Sequence, residues 1–324
     1  MRVTFYEVFE EERSALEKFA PSSWRVEYCP LTIQEAGHAV PPCDVISIRT
    51  QSIIPDAWSP ALRAILSRSA GFDHLLAYRA RAGTRAALGH LFRYSGRAVA
   101  EHAAMMWLAL LHRLPRQMRS IPSFQRDRLT GRECGGRTLA VVGVGDIGSH
   151  IVDIGRGLGM TVIGVDPVQR RADICYRDKA DALAAADIVV CAMNLTEHNP
   201  GYFSSVVLAG LRPGALFVNV ARGEFARSSD LLTALENGPL GGVGLDVVAA
   251  ENLVAPAARE DREIDHPEYR AFRRLLERDD VILTPHNAFN TVEAVERKSE
   301  QSIRQLQHFF DTGTFHTFTD GNPT

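Results

Sequence analysis

Three side chains able to grip an oxyanion and move a proton stand in the second half of the chain: Arg222, Glu251 and His286. Arginine offers a planar fork of donors that matches a carboxylate. Histidine exchanges protons near neutral pH, and a carboxylate bonded to its ring favours the charged form. The three occur in Asn219-Val-Ala-Arg222-Gly223, in Leu245-Asp246-Val-Val-Ala-Ala-Glu251 and in Thr284-Pro285-His286, each following an apolar run that reads as a strand. Ligands of doubly wound sheets collect at such carboxyl ends. Singly, Arg222 reads as a surface residue, Glu251 as a loop acid and His286 as a satisfied strand-end histidine. Together on one expected sheet edge they suit the gripping of an oxyanion and the transfer of a proton.

A dinucleotide site, or a βαβ unit whose glycines only close a turn, is read from the stretch Thr138-Leu-Ala-Val-Val-Gly143-Val-Gly145-Asp146-Ile147-Gly148, which continues to Thr161-Val-Ile-Gly-Val-Asp166; beside a nicotinamide bound there, Arg222, Glu251 and His286 would interconvert a carbonyl and an alcohol. A buried strand breaks into three glycines and resumes as a helix. Gly143 permits the tight turn, Gly145 lets a pyrophosphate approach the backbone, and Gly148 lets helix and strand pack closely. The N–H groups at the helix start, from Asp146 and Ile147 onward, face the phosphates. Asp166, after the second strand, suits the adenosine ribose hydroxyls. A methyltransferase can also place an acid there, but it has no need of the Arg–Glu–His set.

These motifs need a frame of ordinary size. The chain has 324 residues, 45% hydrophobic and 23% charged, which predicts a globular protein of two domains. A net charge of −3 gives no electrostatic case for nucleic acid or an anionic membrane. The longest apolar run, Ala103 to Leu111, is nine residues, short of a membrane span. Met1 to Arg13 is too charged for a signal peptide. Five scattered cysteines (29, 43, 134, 175, 191) lack metal-ligand spacing and point to reduced thiols in a cytoplasmic protein without a metal site.

Periodicity predicts a first α/β unit over residues 1–97, with strands at Arg2–Val8, Arg25–Tyr28, Val45–Arg49 and Ala64–Ser67, a helix at Glu11–Phe19 and a turn-like Pro60–Arg63. Ala70-Gly71 directly follows a strand; it reads as a turn or as free N–H groups for an anion. A long helix, apolar nearly all round, is predicted from Ala98 to Leu114 and ended by Pro115. Six strands follow: Leu139–Val142, Thr161–Val165, Ile188–Ala192, Leu216–Val220, Gly244–Val247 and Val281–Leu283. Between the last two, Ala249 to Asp280 carries a helix near 268–278, and its first half, 252–268, is left open as a lid or a disordered loop. A final amphipathic helix, Thr291 to Phe310, is expected to cross back onto the first unit. The fold class is thus α/β: two Rossmann-like, doubly wound parallel-sheet domains with a cleft between them. Residues 1–97 and 287–324 make a discontinuous substrate-binding domain, and 98–286 the NAD-binding domain.

Most of the chain resembles the D-isomer-specific 2-hydroxyacid dehydrogenases. The resemblance rests on Gly143-Val-Gly-Asp-Ile-Gly148, Leu211-Arg-Pro-Gly-Ala-Leu-Phe-Val-Asn-Val-Ala-Arg-Gly223, Gly244-Leu-Asp-Val247 with Glu251, Thr284-Pro-His286 and Ala100-Glu-His102. Phe5-Tyr6, Tyr94-Ser95 and His286-Asn-Ala288-Phe289 look most like the D-lactate dehydrogenase branch. The resemblance implies that His286 is the acid/base, that Glu251 holds and polarises it, and that Arg222 binds the 2-oxo and carboxylate oxygens. It further implies that the backbone of Ala70 and Gly71 takes the other end of the carboxylate, with Tyr94 counted to the same substrate site. Asp246, Ala221 and Ala288 are placed by the cofactor, and the 98–114 helix region in a homodimer interface.

Departures from the family pattern are Asp146, where many members carry arginine against the pyrophosphate, and Asn194, Asn252, Asn287 and Asn290. Asp166 would repel a 2′-phosphate and favours NAD, while Arg170 and Arg171 keep NADP as the lesser alternative. Arg49, ending a strand of the first unit, is either a solvated arginine or a contact for a second anionic group of the substrate. The competing functional class is an NAD(H)-sensing, corepressor-like protein of the same fold.

Overall fold

The structure is a computed structural model and describes residues 1–316; the end of the 287–324 segment, 317–324, lies outside the described residues. Met1–Ser95 and the chain from Asn290 onward form one compact unit, and Gly96–Phe289 form another.

The first unit begins with β1 (Arg2–Phe5), α1 (Glu10–Phe19), β2 (Arg25–Tyr28), α2 (Ile33–Ala36), β3 (Val45–Ile48), β4 (Ala64–Ser67), α3 (Asp73–Ala82) and β5 (Ala87–His90). The sheet order is β2-β1-β3-β4-β5, with every pairing parallel. All residues of β3 and β4 are buried, as parallel strands covered on both faces require. There are five strands here where the apolar runs predict four. Gly89 and His90 dilute the pattern of β5; Gly89 is needed because the Phe315 ring lies 2.5 Å from where a Cβ would project. The turn expected at Pro60–Arg63 is present over Pro60 and Ala61, where Ala61 N–H donates to the Trp58 carbonyl at 2.9 Å, and it continues from a 3₁₀ turn at Asp56–Trp58.

The second unit opens with α4 (Gly96–Leu111) and α5 (Leu114–Ser120). The single 98–114 helix is therefore corrected to two: Arg113 turns left-handed at φ +54°, and Pro115 begins α5 rather than ending α4. Pro suits a first helical turn because its missing N–H would be unpaired there anyway. Then come β6 (Thr138–Val142), α6 (Asp146–Gly157), β7 (Thr161–Val165), β8 (Cys175–Tyr176), α7 (Lys179–Ala185), β9 (Ile188–Cys191), α8 (Ser205–Ala209), β10 (Ala215–Asn219), α9 (Ser228–Glu236), β11 (Leu240–Leu245), α10 (Glu251–Arg259), α11 (Pro267–Leu276) and β12 (Val281–Leu283). The parallel sheet runs β12-β11-β10-β9-β6-β7-β8, so the chain reverses its direction of winding between β6 and β9.

Seven strands replace the predicted six, the extra one being the two-residue edge β8. Strand β11 starts four residues before the predicted Gly244 because Leu240-Gly-Gly-Val-Gly conceals its apolar pattern, and it stops before Asp246. The 252–268 stretch is neither open loop nor disordered along its first half. It forms α10, whose Val254 and Ala257 pack with Tyr269 of α11 in a small separate core.

The chain returns to the first unit as α12 (Val292–Thr312), with Thr291 accepting from the Ala294 N–H at 3.2 Å as its cap. Lys18 of α1 pairs with Glu296, and Trp24 meets Phe310 edge-on at 5.1 Å. Under this contact lies a fully buried cluster. Glu12 Oε1 accepts from Arg68 Nε at 2.9 Å and sits 2.7 Å from Lys298 Nζ, and Arg68 also donates to Ser47 Oγ and the Tyr6 carbonyl. Both ends of the chain thus build the first unit, which is discontinuous.

Candidate active site

The β6–α6 turn has the shape of a pyrophosphate cradle. Gly143 has φ +92°, and a Cβ there would stand 2.7 Å from the Met193 N. A Cβ on Gly148 would collide with the Gly143 carbonyl. Gly145 differs: nothing lies within 4 Å of its absent Cβ. Two glycines are thus demanded by packing and the third opens onto free space, the pattern expected if a ligand approaches there. Asp166 Oδ2 accepts from Val144 N–H at 2.7 Å and Oδ1 from Val168 N–H at 2.8 Å, which leaves lone pairs on a carboxylate fixed beside the turn. Of the two nearby arginines, Arg171 is held by Asp153, Asp173 and the Ser149 carbonyl, and Arg170 is exposed, 3.9 Å from Asp166. The residues fit a dinucleotide with a free 2′-hydroxyl. Asp146 and Ile147 begin α6, but the Asp146 carboxylate turns to the start of α4, into the space beside Gly96.

At the carboxyl ends of β10, β11 and β12 the polar residues are tied together. Asn219 Oδ1 accepts from Ala221 N–H at 3.0 Å, and its Nδ2 donates to the Arg222 carbonyl at 2.8 Å. Arg222 Nη1 donates to the Ala221 carbonyl at 2.9 Å. A Cβ on Gly223 would strike the Val248 backbone, so this turn rests directly on the segment leading to Glu251. Glu251 is the first residue of α10 and follows Ala250, left-handed at φ +54°. Its Oε1 lies 2.8 Å from His286 Nδ1, with about a fifth of each side chain exposed. The fold therefore joins the predicted glutamate and histidine in one hydrogen bond, and sets Arg222 in the turn just past β10, the strand beside β11.

His286 itself has φ +53°, an unfavourable backbone for a residue with a side chain, of the kind that persists where surroundings over-determine it. Asp246 supplies the constraint. Its carbonyl accepts from His286 N–H at 2.8 Å, Oδ1 from Asn287 N–H at 2.7 Å, and Oδ2 from Ala288 N–H at 2.9 Å. Thr284 Oγ1 donates to Oδ1 at 2.5 Å, and His102 of α4 reaches that hydroxyl at 2.9 Å. The buried Asp246, counted on sequence to the cofactor, is first of all the frame of the His286 loop. Thr284 and His102 stand in quoted motifs, but no local pattern marks them as its partners.

In the first unit, Ala70 and Gly71 follow β4. Among the described residues no hydrogen bond uses their N–H groups, while Ser69 Oγ donates to the Gly71 carbonyl at 2.7 Å. Arg68 beside them points inward to Glu12. Arg49 lies half-buried with its guanidinium 5.8 Å from the Phe9 ring centre. Its N–H donates to Glu7, a buried carboxylate that also accepts from Gln51 and Ser52 N–H and so holds the loop after β3. Sequence reasoning missed Glu7, whose left-handed φ of +58° has no local signature. Tyr94 is buried, and its carbonyl accepts from Arg297 Nε at 2.9 Å.

Comparison with known proteins matches residues 103–288 to the model of the D-isomer specific 2-hydroxyacid dehydrogenase NAD binding domain. A D-lactate dehydrogenase of Lactiplantibacillus plantarum is 31% identical over 231 residues, which span 69% of this chain and 68% of that protein. A D-lactate dehydrogenase of Streptococcus agalactiae is 29% identical over 98% of this chain and 99% of its own. The crystal structure of D-lactate dehydrogenase from Aquifex aeolicus, complexed with NAD and lactic acid, superposes with a TM-score of 0.83 at 26% identity, covering 98% of this chain and all of that one. With its glycine turn, Asp166 and the Glu251–His286 pair on one parallel sheet, the chain belongs to the D-isomer-specific 2-hydroxyacid dehydrogenase family and carries that family's NAD-binding domain.

Proposed function

We propose that the protein reduces a small 2-oxo acid to the D-2-hydroxy acid, reversibly, with His286 as acid/base. The observation that carries this reading is the 2.8 Å bond between His286 Nδ1 and Glu251, on the sheet that also bears the Gly143–Gly148 turn. NADH, when bound, supplies the hydride. Gly143, Gly145, Gly148 and the N–H groups of Asp146 and Ile147 hold its phosphates, and Asp166 its ribose; Ala221, Asp246 and Ala288 line the nicotinamide end. Arg222 binds the 2-oxo and carboxylate oxygens and stabilises charge growing on the carbonyl oxygen. His286, held by Glu251 at Nδ1, presents Nε2 and delivers its proton to that oxygen; in the reverse direction it takes the proton back.

The first unit, residues 1–97 with 287–324, serves as the substrate domain, and 98–286 as the cofactor domain. The unused N–H groups of Ala70 and Gly71 bind the substrate carboxylate, with Tyr94 beside them, and Arg49 engages a second anionic group. A homodimer through α4 and α5 accounts for the exposed Met105, Leu114, Met118, Ile121 and Phe124. Five free cysteines suit the cytoplasm.

The test is loss of NADH absorbance with pyruvate, glyoxylate, hydroxypyruvate, phenylpyruvate and branched 2-oxo acids. Turnover of at least one is expected. Silence across the panel with NADH still bound would replace this reading with an NAD(H) sensor.

A further inference from the structure

His102 lies on α4, 144 residues before Asp246 and 182 before Thr284, and no step proposed above uses it. Its Nε2 is 2.9 Å from Thr284 Oγ1, which is 2.5 Å from Asp246 Oδ1. A hydroxyl has one proton, and an ionised carboxylate can only accept. Thr284 therefore donates to Asp246 and accepts from His102, which places the ring proton of His102 on Nε2. Asp246 is the charged group facing the ring, at 3.7 Å. Burial pulls the His102 pKa below the usual histidine value, against the opposing pull of Asp246, and the neutral ring with its proton on Nε2 keeps the donor the chain needs.

The far end of this chain is the His286 loop. Oδ1 of Asp246 receives both the Thr284 hydroxyl and the Asn287 N–H, so turning that carboxylate moves the loop. The left-handed backbone at His286 is held by its own N–H on the Asp246 carbonyl and by these bonds to the residues that follow it. We propose that His102 is a positioning residue for the acid/base step: from α4 it orients the Thr284 hydroxyl, and through it the Asp246 carboxylate that holds His286 toward Glu251. The inference rests on the reading of His286 as acid/base.

The experiment compares His102→Leu, His102→Gln, Thr284→Val and the His102→Leu/Thr284→Val pair. It reads kcat and KM for 2-oxo acid reduction against pH, NADH affinity by fluorescence, and the His286 ring signals by NMR. His102→Leu should lower kcat about tenfold or more, the scale on which misplacement of a reacting group is felt, with KM and NADH affinity little changed and the His286 signals shifted. His102→Gln, which restores a donor, should recover most of the loss. Adding Thr284→Val to His102→Leu should cost nothing further, because both cut the same chain. Unaltered kcat and His286 signals in His102→Leu, or strictly additive losses in the pair, would overturn the proposal. So would equal losses of kcat, NADH affinity and melting temperature, the pattern of general damage. A wild-type protein inert toward every 2-oxo acid would refute the dehydrogenase reading alone, since the His286 signals still decide whether His102 positions the loop.

Discussion

The carboxylate of Asp146, at the start of α6, occupies the space that a Cβ on Gly96 would claim at the start of α4, with the His150 ring alongside. A negative charge is favourable at helix N-termini, and here one carboxylate serves two. That accounts for an acid in the cofactor turn, yet its charge still stands near the phosphate site. Asp146→Asn is expected to tighten NADH binding about threefold at low salt, with the gain shrinking as salt is added. Gly96→Ala should stabilise an Asp146→Ala protein by about 0.5–1 kcal/mol, the ordinary benefit of alanine over glycine in a helix, and stabilise the wild type less or not at all. Fluorescence titration and paired thermal melts check both; equal effects of Gly96→Ala in the two backgrounds would dissolve the pairing.

The Glu251–His286 bond predicts a particular pH behaviour. With His286 proposed as the acid/base, reduction, which consumes a proton, should slow as pH rises while oxidation of the hydroxy acid speeds up. In Glu251→Gln the ring loses the carboxylate that orients it, so turnover should fall at every pH. Turnover should drop about 10²-fold to 10⁴-fold in His286→Ala. Near-normal turnover in that variant, measured by NADH absorbance, would remove His286 from the chemistry.

Arg222 is fixed by its neighbours, its turn pinned by Asn219 and pressed on the Val248 backbone. A point charge does not replace a planar fork. Arg222→Lys should lower kcat/KM for the 2-oxo acid by about 10²-fold to 10³-fold, the usual loss when a stabiliser of developing charge is removed. NADH affinity should hold, since the proposal assigns the side chain to the substrate.

Asp166 is the residue proposed to hold the cofactor's ribose. Asp166→Ala should raise KM for NADH about tenfold, on the scale of losing hydrogen bonds to a charged group. It should also narrow the preference over NADPH by removing repulsion of a 2′-phosphate. An unchanged NADH-to-NADPH ratio would show that the discrimination lies elsewhere.

The Glu12–Arg68–Lys298 cluster makes the first unit's stability depend on pH. Burial pulls the Lys298 ammonium down to about 7 from its usual 10.5. Across that window the unfolded chain holds more protons, so stability should rise with pH between about 7 and 10.5. Lys298→Met should flatten that slope. Burial alone would lift Glu12, but Arg68 and Lys298 hold it down at about 2 against its usual 4.5, so its contribution is lost as pH falls through that range. Glu12→Gln should cost about 3 kcal/mol or more because it strands buried positive charge, whereas Lys298→Met leaves the Arg68–Glu12 pair whole and should cost less. Denaturant melts of both variants across pH test the order.

What the sequence determined by itself was whatever is encoded by neighbours along the chain. Strand, three glycines, helix, strand and Asp166 lie within 29 residues, and two of the glycines, Gly143 and Gly148, have a steric reason at their own position while Gly145 opens onto free space. The placement of Arg222, Glu251 and His286 after three successive strands was legible because the apolar runs of the strands are legible. Where local pattern was weak, reading failed: Gly241 and Gly242 hid the start of β11, and Pro256 in the middle of a short helix hid α10. Only the tertiary structure decided what those residues lean on. His102, Thr284, Asp246 and the left-handed His286 meet because α4, β11 and β12 come together in one unit, and Asp146 finds Gly96 through helix packing. A hydrogen bond depends on a few tenths of an ångström and on angle, which spacing along a chain cannot specify once the partners lie on separate elements.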